Sequence, residues 1–327
     1  MQDYAQATVF DQIPIIDVSP LLTGQETASV AAQIHDAATE VGFFYISGHG
    51  ISQNITDQAF QTTAGFFALP EAQKSTIAVN QHQRGWMAQG MSRLSGSKTH
   101  DLKEVFFWGA ETALDDPDLL AAKPLVAANQ WPDGVFPRLR TDISPYYDAV
   151  CDVAQHVMSA LALSLGQPRD LFAPAYQKPL ARGQLVYYPP STDEDEAEER
   201  FGVAPHTDFG VLTFLLQDNS GGLQVRLRSG EWVAAPPIPG TLVCNIGDLL
   251  QRWSNDRFRS TLHRVINRSK SARYSIPIFF DPQSDCIVDP KDLGVSESQR
   301  KYEPITAGAY IMGRNKQSFS QYKDGDV

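Results

Sequence analysis

Apolar positions recur along this chain in two rhythms. In the N-terminal third the spacing is mixed. Ile13-Pro14-Ile15-Ile16-Asp17 is a short β-prone run, and Val30, Ile34, Ala37 and Val41 then share one helical face that ends at Gly42. Phe43 to Ile46 is a strand-type run closed by Ser47-Gly48, and Ile55, Ala59, Thr63 and Phe66-Phe67 mark a second helix. Ser144-Pro145 has the form of a helix start, with Ser as N-cap and Pro in the first turn. From there Tyr147, Val150, Ala154, Val157 and Leu161 carry one apolar stripe to Gly166, which predicts a long spine helix. Beyond Gly183 the period shortens. Runs at 185–188, 211–216, 223–227, 232–234, 241–246, 262–266 and 274–280 are separated by Gly, Pro, Asn and Asp. Short strands in this number suggest a sandwich or barrel, and a jelly roll of cupin type fits the count. The expected architecture is mainly β with flanking helices. An N-terminal α/β region covers residues 1–125. Residues 126–327 hold the long helix, the jelly-roll catalytic core (about 180–283) and a C-terminal extension, all packed as one unit.

Composition narrows the function. In 327 residues, 42% are hydrophobic and 20% charged, which is ordinary globular usage and argues against disorder. The net charge of -11 comes with no Lys/Arg cluster, so a nucleic-acid surface is not expected. Cys151, Cys244 and Cys286 lie far apart and form no CxxC pair, so neither a disulfide framework nor a thiolate zinc site is expected. The N-terminus lacks a basic stretch leading into an apolar core, and no apolar run approaches membrane-spanning length. The expectation is a cytoplasmic protein with a small-molecule substrate, no membrane or nucleic-acid partner and no obligate protein partner.

Candidate chemistry lies in the β region. His206-Thr207-Asp208 precedes an apolar strand, and on a strand residues i and i+2 face the same way. His263, on a later strand, is a candidate third ligand. Two imidazoles and one carboxylate on one face of an octahedron leave three positions open, which suits Fe(II) and oxygen activation. With 7 His and 38 acidic residues, an H-x-[DE] match arises roughly 0.8 times by chance, so the motif alone is weak. Ten residues beyond His263, Arg273 and Ser275 share a strand face and lead into the apolar run 276–280. An Arg fork beside a hydroxyl suits a carboxylate, and a buried Arg without an anion is costly.

These segments resemble a known family. His206-Thr207-Asp208-Phe209-Gly210 with Val211-Leu212-Thr213, Gly221-Gly222-Leu223-Gln224-Val225, Asn245-Ile246-Gly247-Asp248, Ser254-Asn255, Thr261 to Val265 and Arg273-Tyr274-Ser275 occur in the order seen in isopenicillin N synthase-like 2-oxoglutarate/Fe(II) dioxygenases. Residues 13–17 and 42–51 resemble that family's N-terminal region. The resemblance implies a double-stranded β-helix, iron on His206, Asp208 and His263, and 2-oxoglutarate on Arg273, Ser275 and Tyr188. It also implies O2 as oxidant, ascorbate as a candidate reductant, and succinate and CO2 as co-products. The outcome on the substrate is hydroxylation, desaturation or ring formation. Where many plant relatives carry Asn, this chain has Val186. Relatives that do not use 2-oxoglutarate also carry an Arg-x-Ser, so an isopenicillin N synthase-like oxidase is the alternative. A cupin-like binding protein is a third reading.

Two residues are candidate substrate contacts: Arg84, in Arg84-Gly85-Trp86, and Phe106, which alternates with Val105 and Phe107. His49 reads as structural and His156 as exposed; His35, His82 and His100 have no ligand spacing. The acidic run 193–199 reads as a solvated loop close enough to His206 to act as a lid.

Overall fold

The computed structural model describes residues 13–25, 27–92, 100–197 and 200–318. Its strands are β1 (Ile15–Asp17), β2 (Phe43–Ser47), β3 (Gly85–Met87), β4 (Glu104–Gly109), β5 (Arg182–Tyr188), β6 (Val203–His206), β7 (Leu212–Gln217), β8 (Leu223–Arg226), β9 (Trp232–Ala234), β10 (Leu242–Ile246), β11 (His263–Val265), β12 (Arg273–Phe280), β13 (Ile287–Val288) and β14 (Ile305–Thr306). The helices are α1 (Ser19–Thr23), α2 (Thr27–Glu40), α3 (Gln53–Phe67), α4 (Glu71–Lys74), α5 (Pro117–Leu120), α6 (Leu139–Ser164), α7 (Asp193–Ala197), α8 (Asp248–Trp253) and α9 (Ala307–Ser318).

Eight strands pair in the order β1-β2-β10-β7-β12-β5-β4-β3, and four in the order β6-β11-β8-β9. Strands from both halves of the chain thus share the large sheet. Alternation gives that sheet two buried faces. Phe44, Ile46, Phe106, Phe214, Ile276, Ile278 and Phe280 point outward into a core shared with α2, α3 and α6. Phe43, Tyr45, Val105, Phe107, Val186, Tyr188 and Val243 point inward and meet Val203, Leu223, Val225 and Val265 of the small sheet. The result is helices, large sheet, small sheet: a jelly roll with an interior shared by the two sheets. Among the described residues no helix is long and apolar enough to cross a membrane.

The spine helix departs from the sequence expectation. It starts at Leu139, and Pro145 lies inside it. A Pro inside a helix costs about 3 kcal/mol. The added turns bury Leu139 and Ile143 completely, which returns about 1.5–3 kcal/mol for each side chain. The fully buried tyrosine is Tyr146, whose hydroxyl donates to the Ile276 carbonyl, while Tyr147 is half-buried. At the end of α2, Gly42 has φ 75°, and a Cβ there would collide with the Arg259 carbonyl oxygen. That contact ties the helix end to the segment leading into His263. The acidic run is not a plain loop. Thr192 and Asp195 cap each other and start α7, while residues 198–199 lie outside the described residues.

Candidate metal centre

β6 and β11 are antiparallel neighbours, and His206 stands directly opposite His263. Opposed residues project from the same face, and the two ring centroids are 4.2 Å apart. Asp208 does not share a strand with His206, contrary to the i, i+2 expectation. β6 ends at His206, and Asp208 lies in the segment crossing to β7. That segment is held by backbone pairing. The first N–H groups of α8, which a helix leaves unpaired, donate to the carbonyls of Asp208 (Asp248 N–H, 2.7 Å) and Gly210 (Leu249 N–H, 2.9 Å). Asp281 accepts from the Val211 N–H at 2.7 Å and sits so close to Gly210 that a Cβ would not fit.

The carboxylate of Asp208 is divided between two tasks. Its Oδ2 accepts from Thr213 Oγ1 and from Asn245 Nδ2, residues that face each other across β7 and β10. Its Oδ1 lies 3.8 Å from His206 Nε2 and 3.7 Å from His263 Nε2. The Nδ1 atoms of His206 and His263 lie 2.9 Å and 3.1 Å from the carbonyl oxygens of Ala204 and Thr261. A carbonyl only accepts, so each Nδ1 carries a proton, and Nε2 is the nitrogen of each ring left to face a metal. One ligand atom from each of the three residues fits within a 4.8 Å span. Burial and the neighbouring His263 push His206 down to about 4, so it is neutral at pH 7. Burial pushes Asp208 up, but the two imidazoles and its two hydrogen bonds outweigh it and hold the carboxyl below its usual range. Two imidazole nitrogens and a carboxylate are a donor set that fits Fe(II).

The same cavity reaches Arg273. A pocket of about 80 Å³ is lined by His206, Asp208, His263, Val186, Arg273 and Ser275, among others. Tyr188 is the cross-strand partner of Arg273, and Val186 that of Ser275. Arg273 is 1% exposed. Its Nε donates to the Gly221 carbonyl at 2.6 Å, its Nη1 lies 3.4 Å from Ser275 Oγ, and its guanidinium stacks 4.6 Å from the Tyr188 ring. Its buried Nη2 has no hydrogen-bond partner among the described residues. Leaving such a donor unpaired costs about 1–3 kcal/mol, which marks a place for an anion.

The two candidate substrate contacts are not brought here. Arg84 is buried with its guanidinium on the carbonyls of His82, Gln83 and Leu125, and it lines a separate cleft with Ala110 and Lys178. Phe106 is on the outer face, packed on Phe66, Trp108 and Trp131; the period-2 alternation gives the inner face to Val105 and Phe107. His49 accepts the Ile51 N–H and is buried, as a structural residue would be. A larger cavity, about 510 Å³, lies between α3 and residues 237–242 and contains none of the candidate ligand atoms. Thr213, Asn245, Asp248 and Asp281 were not singled out from sequence. For Thr213 and Asn245 a signal exists: each is the lone polar residue at an inward position of an apolar run.

Comparison with known proteins gives the family. Residues 13–134 match the non-haem dioxygenase in morphine synthesis N-terminal family, and residues 183–282 the 2OG-Fe(II) oxygenase superfamily. The 2-oxoglutarate-Fe(II) type oxidoreductase hxnY of Emericella nidulans is 36% identical over 318 residues, covering 94% of this chain and 90% of its own. Homoarginine-6-hydroxylase 2-ODD-233 of Oryza sativa subsp. japonica is 35% identical over 327 residues, covering 93% and 96%. A full-length Neurospora crassa protein, solved in complex with alpha-KG, aligns with a TM-score of 0.81 at 30% identity over 92% of this chain and 95% of that one, and it was also solved with alpha-KG and thymine. The chain therefore belongs to the 2-oxoglutarate/Fe(II)-dependent dioxygenases and is an oxidoreductase that works with iron, 2-oxoglutarate and O2.

Proposed function

We propose that His206, Asp208 and His263 hold the iron through Nε2, Oδ1 and Nε2, and that Arg273, Ser275 and Tyr188 take the distal carboxylate of 2-oxoglutarate. The substrate is a small organic molecule. The observation that carries this reading is the unpartnered, buried Nη2 of Arg273 in the cavity that also holds the three ligand atoms.

Iron and 2-oxoglutarate, when bound, supply oxygen activation coupled to decarboxylation of the co-substrate to succinate and CO2. The chain's own residues set the conditions. Thr213 and Asn245 hold Oδ2 of Asp208, which keeps Oδ1 turned to the imidazoles. The carbonyls of Ala204 and Thr261 hold the Nδ1 protons and so fix both rings. Arg273 meets the co-substrate's charge with a fork that Ser275 and Tyr188 flank. Val186, Leu215, Leu223 and Val265 line the cavity and exclude water from the reacting atoms.

Anaerobic titration with Fe(II), with and without 2-oxoglutarate, tests the assignment. A weak visible charge-transfer band that needs both is expected. Iron binding with no such band would favour the oxidase reading, and absence of iron binding would sink the ligand set.

A further inference from the structure

Beside the metal-ligand atoms the interior opens into a mouth of about 90 Å³, lined among others by Gln83, Lys103, Arg182, Gln184, Phe279 and Asn315. That is far below the roughly 300–1,000 Å³ of sites for drug-sized ligands, so the space suits a single ring. Its charges are already matched. Lys103 Nζ lies 3.2 Å from Asp101, and Arg182 Nη2 lies 2.8 Å from Asp281; both carboxylates are buried. In the loaded site, iron and Arg273 offset Asp208 and the co-substrate dianion. Among the described lining residues no cation is left for an anionic substrate, and no carboxylate for a cationic one.

What remains, beside the buried and unpartnered Nε of the paired Arg182, is a set of amides, and their orientation follows from chemistry. Arg182 Nη1 lies 3.4 Å from Gln83 Oε1, and Asn315 Nδ2 lies 3.3 Å from the same oxygen. A guanidinium only donates, so Gln83 must turn its oxygen to Arg182, and Asn315 must then turn its NH2 to Gln83. The Gln83 NH2 and the Asn315 carbonyl oxygen are left as one donor and one acceptor. The half-buried Gln184 side chain makes no hydrogen bond to the described residues and offers both. Gln83 holds φ 54°, a left-handed conformation that a non-glycine residue adopts only at a cost, and it is 5% exposed.

We propose that this mouth selects a small, uncharged, ring-sized substrate with an amide edge, a carbonyl beside an N–H as in a lactam, a cyclic imide or a pyrimidinedione. Asn315, from the C-terminal helix α9, accepts from the N–H, while Gln83 and Gln184 donate to the carbonyl; Phe279 and Phe209 give the ring apolar walls. The inference rests on the placing of iron and co-substrate proposed above.

The test is anaerobic calorimetry on protein loaded with Fe(II) and 2-oxoglutarate, titrated with uracil, succinimide and 2-pyrrolidinone, and with benzoate and L-arginine as charged probes of similar reach. At least one neutral probe is expected to bind about tenfold or more tighter than either charged one, the margin that a charge without a partner costs. Asn315→Ala and Gln184→Leu are each expected to weaken it roughly threefold to thirtyfold, as for one lost hydrogen bond. Gln184→Leu keeps the test usable if Asn315→Ala lowers the melting temperature. Three results overturn the proposal: no heat from any neutral probe at millimolar concentration, a charged probe binding as tightly as the best neutral one, or neutral binding unmoved by both variants. Substrate-free succinate release by the same preparation reports separately on the iron and 2-oxoglutarate reading.

Discussion

Replacing Arg273 by leucine separates the cost of this side chain from its use. Without 2-oxoglutarate the guanidinium is 1% exposed, bonded to the Gly221 carbonyl and paired with no described carboxylate. An unpaired buried charge costs several kcal/mol, whereas the Gly221 bond contributes about 0.5–1.5 kcal/mol. The first effect is larger, so the leucine variant is expected to melt no lower than the parent when 2-oxoglutarate is absent. With 2-oxoglutarate the sign reverses. Removing one partner of a buried charge pair costs about 2–5 kcal/mol. At about 1.36 kcal/mol per tenfold, the KM for 2-oxoglutarate should rise from about 30-fold to several thousand-fold. Arg273→Lys keeps the charge and loses the fork, so its KM should fall between the two. Succinate release against 2-oxoglutarate concentration, melting curves with and without 2-oxoglutarate, and metal analysis read all three quantities. An unchanged KM for 2-oxoglutarate at normal iron content would refute the reasoning. A raised KM for the organic substrate alone would move Arg273 to the substrate.

Three further outcomes follow from the packing. Asn245→Leu removes one of the two donors on Asp208 Oδ2, and iron affinity measured against a competing chelator should drop about 10–100-fold; an unchanged affinity would show that Thr213 alone suffices. Gly42→Ala forces a Cβ into a left-handed position against the Arg259 carbonyl oxygen, and should lower the unfolding free energy by about 1–3 kcal/mol or more; an unshifted denaturation midpoint would contradict that crowding. Burial pushes the Cys286 thiol up to about 11 and the Cys151 thiol to about 12, and lifts Cys244 well above its usual value. A thiol reagent at pH 8 should therefore label the folded protein slowly and all three cysteines quickly in denaturant, because the thiolate is the reactive form. Fast labelling of the native chain would show that this burial is not maintained.

The β half was legible because its runs are short, apolar and separated by turn residues. Each of the seven runs read from sequence overlaps a strand. β6 was not read, because Val203-Ala204-Pro205-His206 is too short and too polar at its end to show a rhythm. The spine helix was placed but started late, since Pro145 has the form of a helix start and only tertiary burial of Leu139 and Ile143 extends the helix past it. The candidate ligand residues were legible as types in order. Their geometry was not, because cross-strand register leaves no mark in a single sequence. Phe106 lies away from this cavity for a related reason: alternation shows that two faces exist, and only the packed sheets show which of them is inside.

That register also explains why the site sits where it does. Two opposed pairs face the interior, His206 with His263 on the small sheet and Thr213 with Asn245 on the large one. The first pair offers nitrogen lone pairs and the second offers donors, so a carboxylate lying between them is bound on one oxygen and left free on the other. Asp208 lies between them because the chain crosses there from β6 in one sheet to β7 in the other. A carboxylate on a strand would belong to one sheet and meet only one of the pairs. The crossing must be narrow for this to work. The need is met at Gly210 and Gly247, where a Cβ on either would collide with Asp281 or with the Gly210 carbonyl. The glycines that look like loop filler in His206-Thr207-Asp208-Phe209-Gly210 and Asn245-Ile246-Gly247-Asp248 thus let the two sheets share one carboxylate, and the motif is a packing requirement before it is a chemical one.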